Sequence, residues 1–350
     1  MKILKILFFN FFIFLLTITS IELIFGYWFD EDNLGPYMRE YRMKKVQYSM
    51  KYKNNFYDYV YKRNYHGFRG DEIKLEEIKA VLIGGSTADE RYKPENLTIT
   101  GFLNRKLKKD KIEIEIINAG IEGQSTFGHI YNFKDWFPRL KGFSPKYFIF
   151  YVGINDSKNF TEENKKKPVG DIDNNSKTEN FRDNLKSRSI FYDLIRKTKH
   201  KYYSNTKKKI VYDFDVGIKN YYKGQDYNFL KFDEALKFYN LNALLKKHEK
   251  PIAQYINNID ILAENSKIFG AVPIFINQLT HEGNSSERLF ALNYSLIDHC
   301  KKKNYSCIDL SKRLIGEKDF WWDGLHTTAK GSKIISEIIY PQLKEFMIKN

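Results

Sequence analysis

The stretch Ala80-Val-Leu-Ile-Gly-Gly-Ser-Thr87 decides how this chain is organised. Its first four residues are apolar and indicate a short buried strand. The glycine pair that follows allows the backbone to turn sharply at the end of that strand. Such a turn leaves the next side chain, Ser86, exposed at the carboxyl end of the strand. Residues 80–87 therefore predict the first strand of a sheet and the loop that follows it.

Downstream of this unit, apolar runs that predict strands alternate with helical patterns. The further predicted strands are 112–117, 147–152, 271–276 and 306–310. The predicted helices are 101–109, capped by Thr100, then 126–137, ended by Pro138, then 251–265, 287–302 and 328–348, which Pro341 would kink. This alternation predicts an α/β fold with a mainly parallel five-stranded sheet and helices on both faces.

Polar and glycine-containing blocks follow the predicted strands. Ser86 follows the first strand, Gly123 the second and Asn155 the third. Asp323 and His326 lie in the loop after the fifth strand. Because parallel α/β sheets form their active sites at the carboxyl ends of strands, we expect these five residues to meet there.

These residue types suit acyl transfer. Ser86 would attack the acyl carbon, His326 would take its proton, and Asp323 would orient the imidazole. The N–H groups of Ser86 and Gly123 and the amide of Asn155 would hold the oxyanion. Each block also fits a purely structural role, as a tight turn or a helix cap. Their joint position at strand ends favours the catalytic interpretation.

The four blocks resemble those of the SGNH hydrolases, also called GDSL-type esterases. They are Gly84-Gly85-Ser86, Asn118 to Gly123, Gly153 to Asp156, and Asp323 to His326, within roughly residues 78–348. The resemblance implies a flavodoxin-like three-layer α/β/α fold, no metal or other cofactor, and hydrolysis of esters, often O-acetyl groups on glycans. Many members carry Asp where this chain has Gly85. Gly120 is a second candidate for the second block, but Gly123 lies further past the strand.

The N-terminal segment, residues 1–29, predicts a transmembrane helix. Residues 6–21 carry no charge, and the apolar character resumes after Glu22, so the run is long enough to cross a bilayer. Two lysines precede it and three acidic residues follow it, which predicts a cytoplasmic N-terminus and an extracytoplasmic catalytic domain at the cell membrane. A cleaved signal peptide, giving a secreted protein, is the alternative. We prefer the anchor because no clear cleavage site precedes Gly26.

The rest of the chain divides into two parts. Residues 30–77 predict a linker that packs on the domain, and its Gly67-Phe68-Arg69-Gly70 turn has no role that the sequence indicates. Residues 78–350 predict the hydrolase domain, with a polar and basic insertion at about 158–245. The part of that insertion at 158–180 could act as a lid or a glycan-contacting loop.

Composition limits the partners. The net charge of +15 fits a solvated lysine-rich surface, with attraction to anionic partners as the alternative. Nucleic acid is not expected, because no zinc-finger or RNA-binding signature is present, and no metal-ligand spacing occurs. For Cys300 and Cys307 we expect two small buried thiols rather than a disulfide, which would require export.

The sequence therefore predicts a membrane-anchored serine esterase that hydrolyses acyl esters, with O-acetyl groups on envelope or surface glycans as the favoured substrates. A small-molecule ester is also compatible with the site. Two other functions stay open. The same triad could transfer an acyl group to a polysaccharide hydroxyl, or the fold could serve as a non-catalytic glycan-binding module.

Overall fold

The computed structural model describes residues 2–29, 35–38, 41–158, 182, 185–206, 209–223 and 227–349. The strands are β1 (Lys45–Tyr52), β2 (Asn55–Lys62), β3 (Ala80–Gly84), β4 (Ile116–Asn118), β5 (Tyr147–Val152), β6 (Ile210–Asp213), β7 (Val272–Asn277) and β8 (Ser306–Ile308). The helices are α1 (Lys2–Phe25), α2 (Gly35–Met38), α3 (Ser86–Asp89), α4 (Ile99–Lys109), α5 (Thr126–Asp135), α6 (Ile154–Lys158), α7 (Ile190–Thr206), α8 (Phe214–Tyr221), α9 (Phe232–Phe238), α10 (Leu241–Lys247), α11 (Glu249–Ile268), α12 (Glu287–Lys303), α13 (Leu310–Arg313) and α14 (Ala329–Lys349).

The central sheet has five parallel strands in the order β4-β3-β5-β7-β8. Numbered by their order in this sheet alone, the strands run 2-1-3-4-5, which is the flavodoxin-like order. Every residue of β3 and β5 is buried. Their apolar runs follow from this position, because a central strand of a parallel sheet is covered on both faces.

Helices cover both faces of this sheet. Alternate β5 residues, Phe148 and Phe150, point into one core with side chains of α5, α11 and α12. Tyr147 and Ile149 point into the other, with side chains of α4, α13 and α14. The predicted three-layer α/β/α fold with a parallel five-stranded sheet is therefore confirmed.

A second, smaller sheet was not predicted. In the range predicted as a linker, β1 and β2 form an antiparallel hairpin, and β6 from the predicted insertion pairs with β1 in parallel. Lys53 and Asn54 make the two-residue turn, both with positive φ. The inner face of the hairpin is tyrosine-rich, and Met50 and Tyr52 pack with Tyr92 and Phe214. Tyrosine is neither clearly apolar nor clearly polar. The alternation of buried and exposed side chains along these strands was therefore not visible in the sequence.

Several predicted boundaries were wrong. The strand predicted at 112–117 is β4, which spans only Ile116–Asn118. Its partner strand β3 begins at Ala80, opposite Ile116, so residues 112–115 have no β3 residue to pair with. The cap of α4 is Thr98, whose side chain accepts from the Gly101 N–H, rather than Thr100. By contrast, the closing helix α14 matches its predicted range within one residue and contains Pro341.

The two cysteines form a disulfide, so the expectation of two separate thiols was wrong. Cys300 lies near the end of α12 and Cys307 lies in β8, with their Cα atoms 6.3 Å apart. The helix turns back at Asn304, which has a left-handed backbone conformation, and this reversal brings the two side chains together. The bond joins the edge strand of the sheet to the helix that precedes it.

The N-terminal helix α1 is the one helix of the described residues that is long and apolar enough to cross a membrane, and none of its residues is buried. Its Glu22 reaches the start of α7. The Glu22 carboxylate accepts from the Ser189 hydroxyl at 2.5 Å and from the Ile190 N–H at 3.1 Å. Most of the segment 158–180, interpreted from sequence as a lid or glycan-contacting loop, lies outside the described residues.

Candidate active site

Ser86 begins the short helix α3 directly after β3. Gly85, the residue before it, has an extended backbone, and a Cβ there would lie 2.3 Å from the Asn155 amide nitrogen and 2.9 Å from the Gln124 carbonyl. A larger residue at position 85 would therefore displace Asn155. The absence of the Asp that the resembled family often carries is consistent with this close contact.

His326 and Asp323 approach Ser86 from the loop before α14. The Nε2 atom of His326 is 2.8 Å from Ser86 Oγ, and its Nδ1 atom is 2.6 Å from Asp323 Oδ2. The other Asp323 oxygen accepts from the N–H groups of Leu325 and His326, which fixes the loop. Burial acts to raise the pKa of Asp323, but the hydrogen bond and charge of His326 outweigh it and lower that pKa.

Gly123 and Asn155 lie beside the Ser86 turn. Gly123 has a φ of +75° in a turn closed by the Gln124 N–H and the Ile121 carbonyl, so glycine is favoured there. Asn155 donates one amide hydrogen to the Gln124 carbonyl at 2.7 Å, which leaves the other for a ligand. Within the described part of the chain, the N–H groups of Ser86 and Gly123 have no hydrogen-bond acceptor.

Gly120, the other candidate for the second block, has a packing role. A Cβ at this position would lie 2.4 Å from the Asp89 nitrogen, so glycine allows β4's loop to approach α3. Its carbonyl accepts from Arg63 at 2.9 Å. The Gly120 N–H already donates to Asn118 Oδ1 at 2.8 Å, so Gly123 remains the candidate donor.

A buried polar network holds the Gln124 carbonyl that Asn155 contacts. The Gln124 side chain donates to the hydroxyl of Tyr37 at 2.5 Å and accepts from Asn132 at 3.1 Å. His129 contacts the same amide at 3.2 Å, and burial lowers the pKa of His129 to about 3, so its ring is neutral. His129 is therefore a structural residue of the loop that carries Gly123.

Tyr92 belongs to the site and was missed by the sequence analysis. Its hydroxyl is 3.3 Å from His326 Nε2, and the Tyr92 and His326 rings are 4.6 Å apart between centroids. Burial raises the pKa of Tyr92 to about 12, so the phenol stays protonated. Its only sequence signal was its position shortly after the proposed nucleophile.

A buried ion pair joins the loops that carry Ser86 and His326. Lys93 contacts Glu90 at 2.6 Å and the Thr327 carbonyl at 2.7 Å, and also hydrogen-bonds Ser332. Glu90 in turn accepts from the Ile99 N–H at 2.5 Å. Burial lowers the pKa of Lys93, against the opposing effect of Glu90. Sequence alone could not pair Lys93 with residues so far along the chain.

Residues at the end of β2 and just after it also hold the segment that follows Ser86. The buried guanidinium of Arg63 contacts Asp89 at 3.2 Å, and the Tyr61 hydroxyl donates to Asp89 at 2.9 Å. Arg69 hydrogen-bonds the carbonyls of Asp89 and Lys93. The Gly67-Phe68-Arg69-Gly70 turn, which had no assigned role, thus helps to position the segment after Ser86.

Among the described residues, no group of three or more His, Cys, Asp or Glu side chains is arranged to hold a metal ion. The groups that do converge are a serine hydroxyl, an imidazole with a carboxylate behind it, and free amide donors. Such an arrangement can remove the serine proton and hold negative charge on a carbonyl oxygen.

No protein-family model matches this chain, and no curated protein matches its sequence. Its structure is similar to that of TesA, with a TM-score of 0.43 and 10% identity over 76% of this chain and 98% of that one. It is also similar to the psychrotrophic esterase EstA from Pseudoalteromonas sp., with a TM-score of 0.42 and 13% identity over 77% and 98% of the two chains. A catalytic mutant of Axe2, an acetylxylan esterase from Geobacillus stearothermophilus, gives a TM-score of 0.41 and 12% identity over 76% and 94%. Likenesses this distant do not assign an activity.

Proposed function

We propose that this chain is a membrane-anchored serine esterase of the SGNH type and that Ser86 is its nucleophile. The observation that carries the proposal is the continuous hydrogen-bonded chain from Asp323 through His326 to Ser86, with distances of 2.6 and 2.8 Å. This is the order of groups that activates a serine hydroxyl in acyl transfer. The sequence blocks that resemble the family contribute all three residues.

In the proposed reaction, Ser86 Oγ attacks the ester carbonyl carbon while His326 Nε2 accepts its proton. The Asp323 carboxylate holds the Nδ1 proton and stabilises the imidazolium that forms. The oxyanion is held by the N–H groups of Ser86 and Gly123 and by the Asn155 amide, each donor contributing about 2.7–4 kcal/mol. His326 then protonates the leaving alcohol. Water, activated by the same histidine, hydrolyses the acyl-enzyme and restores Ser86.

Export of the domain is part of the proposal. The apolar helix α1, with lysines in its first turn, supports a single-pass anchor with the catalytic domain on the extracytoplasmic side. The Cys300–Cys307 disulfide supports the same location, because such bonds persist mainly in oxidising compartments. An exported domain meets polymers and lipids of the envelope. We therefore propose acyl esters of envelope glycans, O-acetyl groups first, as the substrate class.

A fluorophosphonate probe tests the nucleophile, because it reacts covalently with activated serines. We expect the full chain in detergent to be labelled and the Ser86→Ala variant to be unlabelled. Ser285→Ala is the matched control, since the Ser285 hydroxyl donates to the Glu282 carbonyl away from the triad, and its labelling should equal that of the parent. Labelling of Ser86→Ala, or none of the parent, would refute the assignment; the second result would favour a binding module.

The substrate class is tested separately. Release of acetate from an O-acetylated polysaccharide, lost in Ser86→Ala, would support it. Cleavage of p-nitrophenyl acetate without acetate release from any acetylated glycan would retain the esterase and reject the glycan. Transfer of the acetyl group to an added oligosaccharide, in place of free acetate, would show an acyltransferase instead.

A further inference from the structure

A small open cleft lies where α1 meets the body of the protein, and it shares no lining residue with the candidate active site. Tyr27 at the end of α1 forms one wall. The rest is lined by Arg42, Lys186, Ser187, Tyr192, Asp193 and Arg196. No step of the proposed esterase reaction uses this cleft.

Arg42 is the central feature of the cleft. Only 5% of this residue is exposed, and its Nε and Nη2 atoms are buried without a hydrogen-bond partner among the described residues. The guanidinium lies against the Tyr27 and Tyr65 rings, 5.0 and 4.6 Å from their centroids. Aromatic rings hold the guanidinium but do not replace hydrogen-bond acceptors. A buried cation with two N–H donors that lack an acceptor is stabilised by an anionic acceptor.

The other charges in the cleft leave this requirement unmet. The one carboxylate that lines it, Asp193, already accepts from Arg196 at 2.9 Å and from Lys197 at 2.8 Å. Burial acts to raise the pKa of Asp193, but these two cations outweigh it and lower that pKa, so the group is ionised. Asp193 is therefore already paired with two other cations and leaves the buried Arg42 donors without an acceptor in the part of the chain that the structure describes.

The cleft is fixed to the end of the proposed anchor. The Tyr27 N–H donates to the Arg188 carbonyl at 2.8 Å, and the Tyr27 hydroxyl donates to Asp193 at 3.3 Å. Glu22, one turn earlier, caps the first residues of α7. In a single-pass protein this position is level with the lipid headgroups, where interfacial tyrosines are commonly found.

We propose that this cleft binds a phosphate-bearing anion, with Arg42 as the main ligand and Arg196 and Lys186 at its sides. Arginine suits this task because its planar fork of donors matches two phosphate oxygens. A phospholipid headgroup and a free phosphate share this chemistry. The position beside α1 favours the phosphodiester of an anionic lipid.

Native mass spectrometry of the full chain in detergent tests the proposal. Phosphatidylglycerol, phosphatidylcholine and inorganic phosphate are added in separate arms. We expect phosphatidylglycerol adducts at least fivefold above those of phosphatidylcholine, and at least a fivefold loss of those adducts in Arg42→Gln. Adducts of phosphate at similar concentrations, with no lipid preference, would assign the same ligands to a free anion.

Two further variants keep the result interpretable. Arg139→Gln removes an exposed arginine that lines no part of the cleft, and its adducts should match those of the parent. If Arg42→Gln does not fold, Lys186→Gln provides the test in its place. This variant should weaken anion binding about two- to threefold. Fluorophosphonate labelling of Ser86 reports folding independently of lipid. Unchanged adducts in Arg42→Gln and Lys186→Gln, or no adduct of either anion in the parent, would overturn the proposal.

Discussion

At the scale of single residues, the Tyr92 hydroxyl is the group whose contribution is easiest to isolate. It hydrogen-bonds His326 Nε2, while the ring packs against the imidazole. Tyr92→Phe keeps the ring and removes the hydroxyl, so we expect kcat/KM for p-nitrophenyl acetate to fall about three- to tenfold, the value of one neutral hydrogen bond. Tyr59→Phe is the control, because that hydroxyl donates to the Arg91 carbonyl instead. Equal losses in both variants would deny Tyr92 a specific role.

Asp156 should make stability depend on pH. Burial raises the pKa of this carboxyl from 3.8 to about 6 in the folded protein, despite hydrogen bonds from Thr126. The folded state therefore holds its proton more tightly than the unfolded state. This contribution to stability is full below pH 4 and is lost as the pH rises through 6, a change of about 3 kcal/mol.

The Asp156→Asn variant tests this sign. An amide cannot ionise and can still accept from Thr126, so the variant should gain stability over the parent at pH 7.5 and lose that gain near pH 4. Urea unfolding at both pH values measures the difference. Asp298→Asn, which changes a half-exposed carboxylate on α12, should show no such trend. A gain in stability from Asp156→Asn that is equal at both pH values would contradict the raised pKa of Asp156.

The sequence could predict residues whose chemistry restricts their type. Ser86, Asp323, His326 and Asn155 were predicted because few residue types serve acyl transfer and each followed a predicted strand. The structure brings them together, and their catalytic roles stay predictions. Tyr92 could not be predicted, since its partner His326 lies 234 positions away and a tyrosine suits many environments.

At the scale of elements, the Lys93–Glu90 pair joins the loop after α3 to the start of α14. Both side chains are almost fully buried. Lys93→Met would leave the Glu90 carboxylate buried without its cation, which should cost about 3–5 kcal/mol of stability. Adding Glu90→Gln removes the charge and keeps an acceptor for the Ile99 N–H, so the double variant should recover part of the loss. Urea unfolding of the single and double variants measures the coupling, and additive losses would count against a coupled pair.

The sequence could predict the elements whose apolar residues stand out clearly from polar neighbours. β3 and β5 are buried on both faces, so continuous apolar runs marked them closely. The strand at 112–117 was predicted too long because alternation continues where no partner strand exists. The hairpin β1–β2 was not predicted, since its inner face is largely tyrosine and its turn, Lys53-Asn54, lacks the glycine that usually marks such turns.

For the whole molecule, the predicted orientation in the membrane is open to a direct measurement. Alkaline phosphatase fused after residue 350 of the full chain should be active in a bacterial host, and a β-galactosidase fusion at the same point should be inactive. The physical reason is that the lysines in the first turn of α1 hold the N-terminus in the cytoplasm. The same fusions to a chain without residues 1–29 should reverse both activities. The opposite pattern in the full chain would overturn export and, with it, the preference for envelope glycans.

The pairing of Cys300 and Cys307 shows what only the folded molecule could decide. The sequence favoured two separate thiols, which was wrong, because the pairing depends on the reversal at Asn304 and on the compartment. By contrast, the N-terminal apolar run was sufficient to predict the helix α1, and the alternation of strand and helix patterns was sufficient to predict the α/β fold that follows it.

The contact between Glu22 and the start of α7 restricts how far the Ser86 site can lie from the membrane. A domain on a free linker would sample many orientations and many distances from the bilayer. Here the end of α1 and the residues directly after it hydrogen-bond the body, through Glu22 and Tyr27, so the domain should keep one orientation relative to α1. If α1 spans the bilayer as proposed, the Ser86 site would stay at a nearly constant distance from the membrane surface. An ester would then be selected by how far it stands from the membrane as well as by its chemistry.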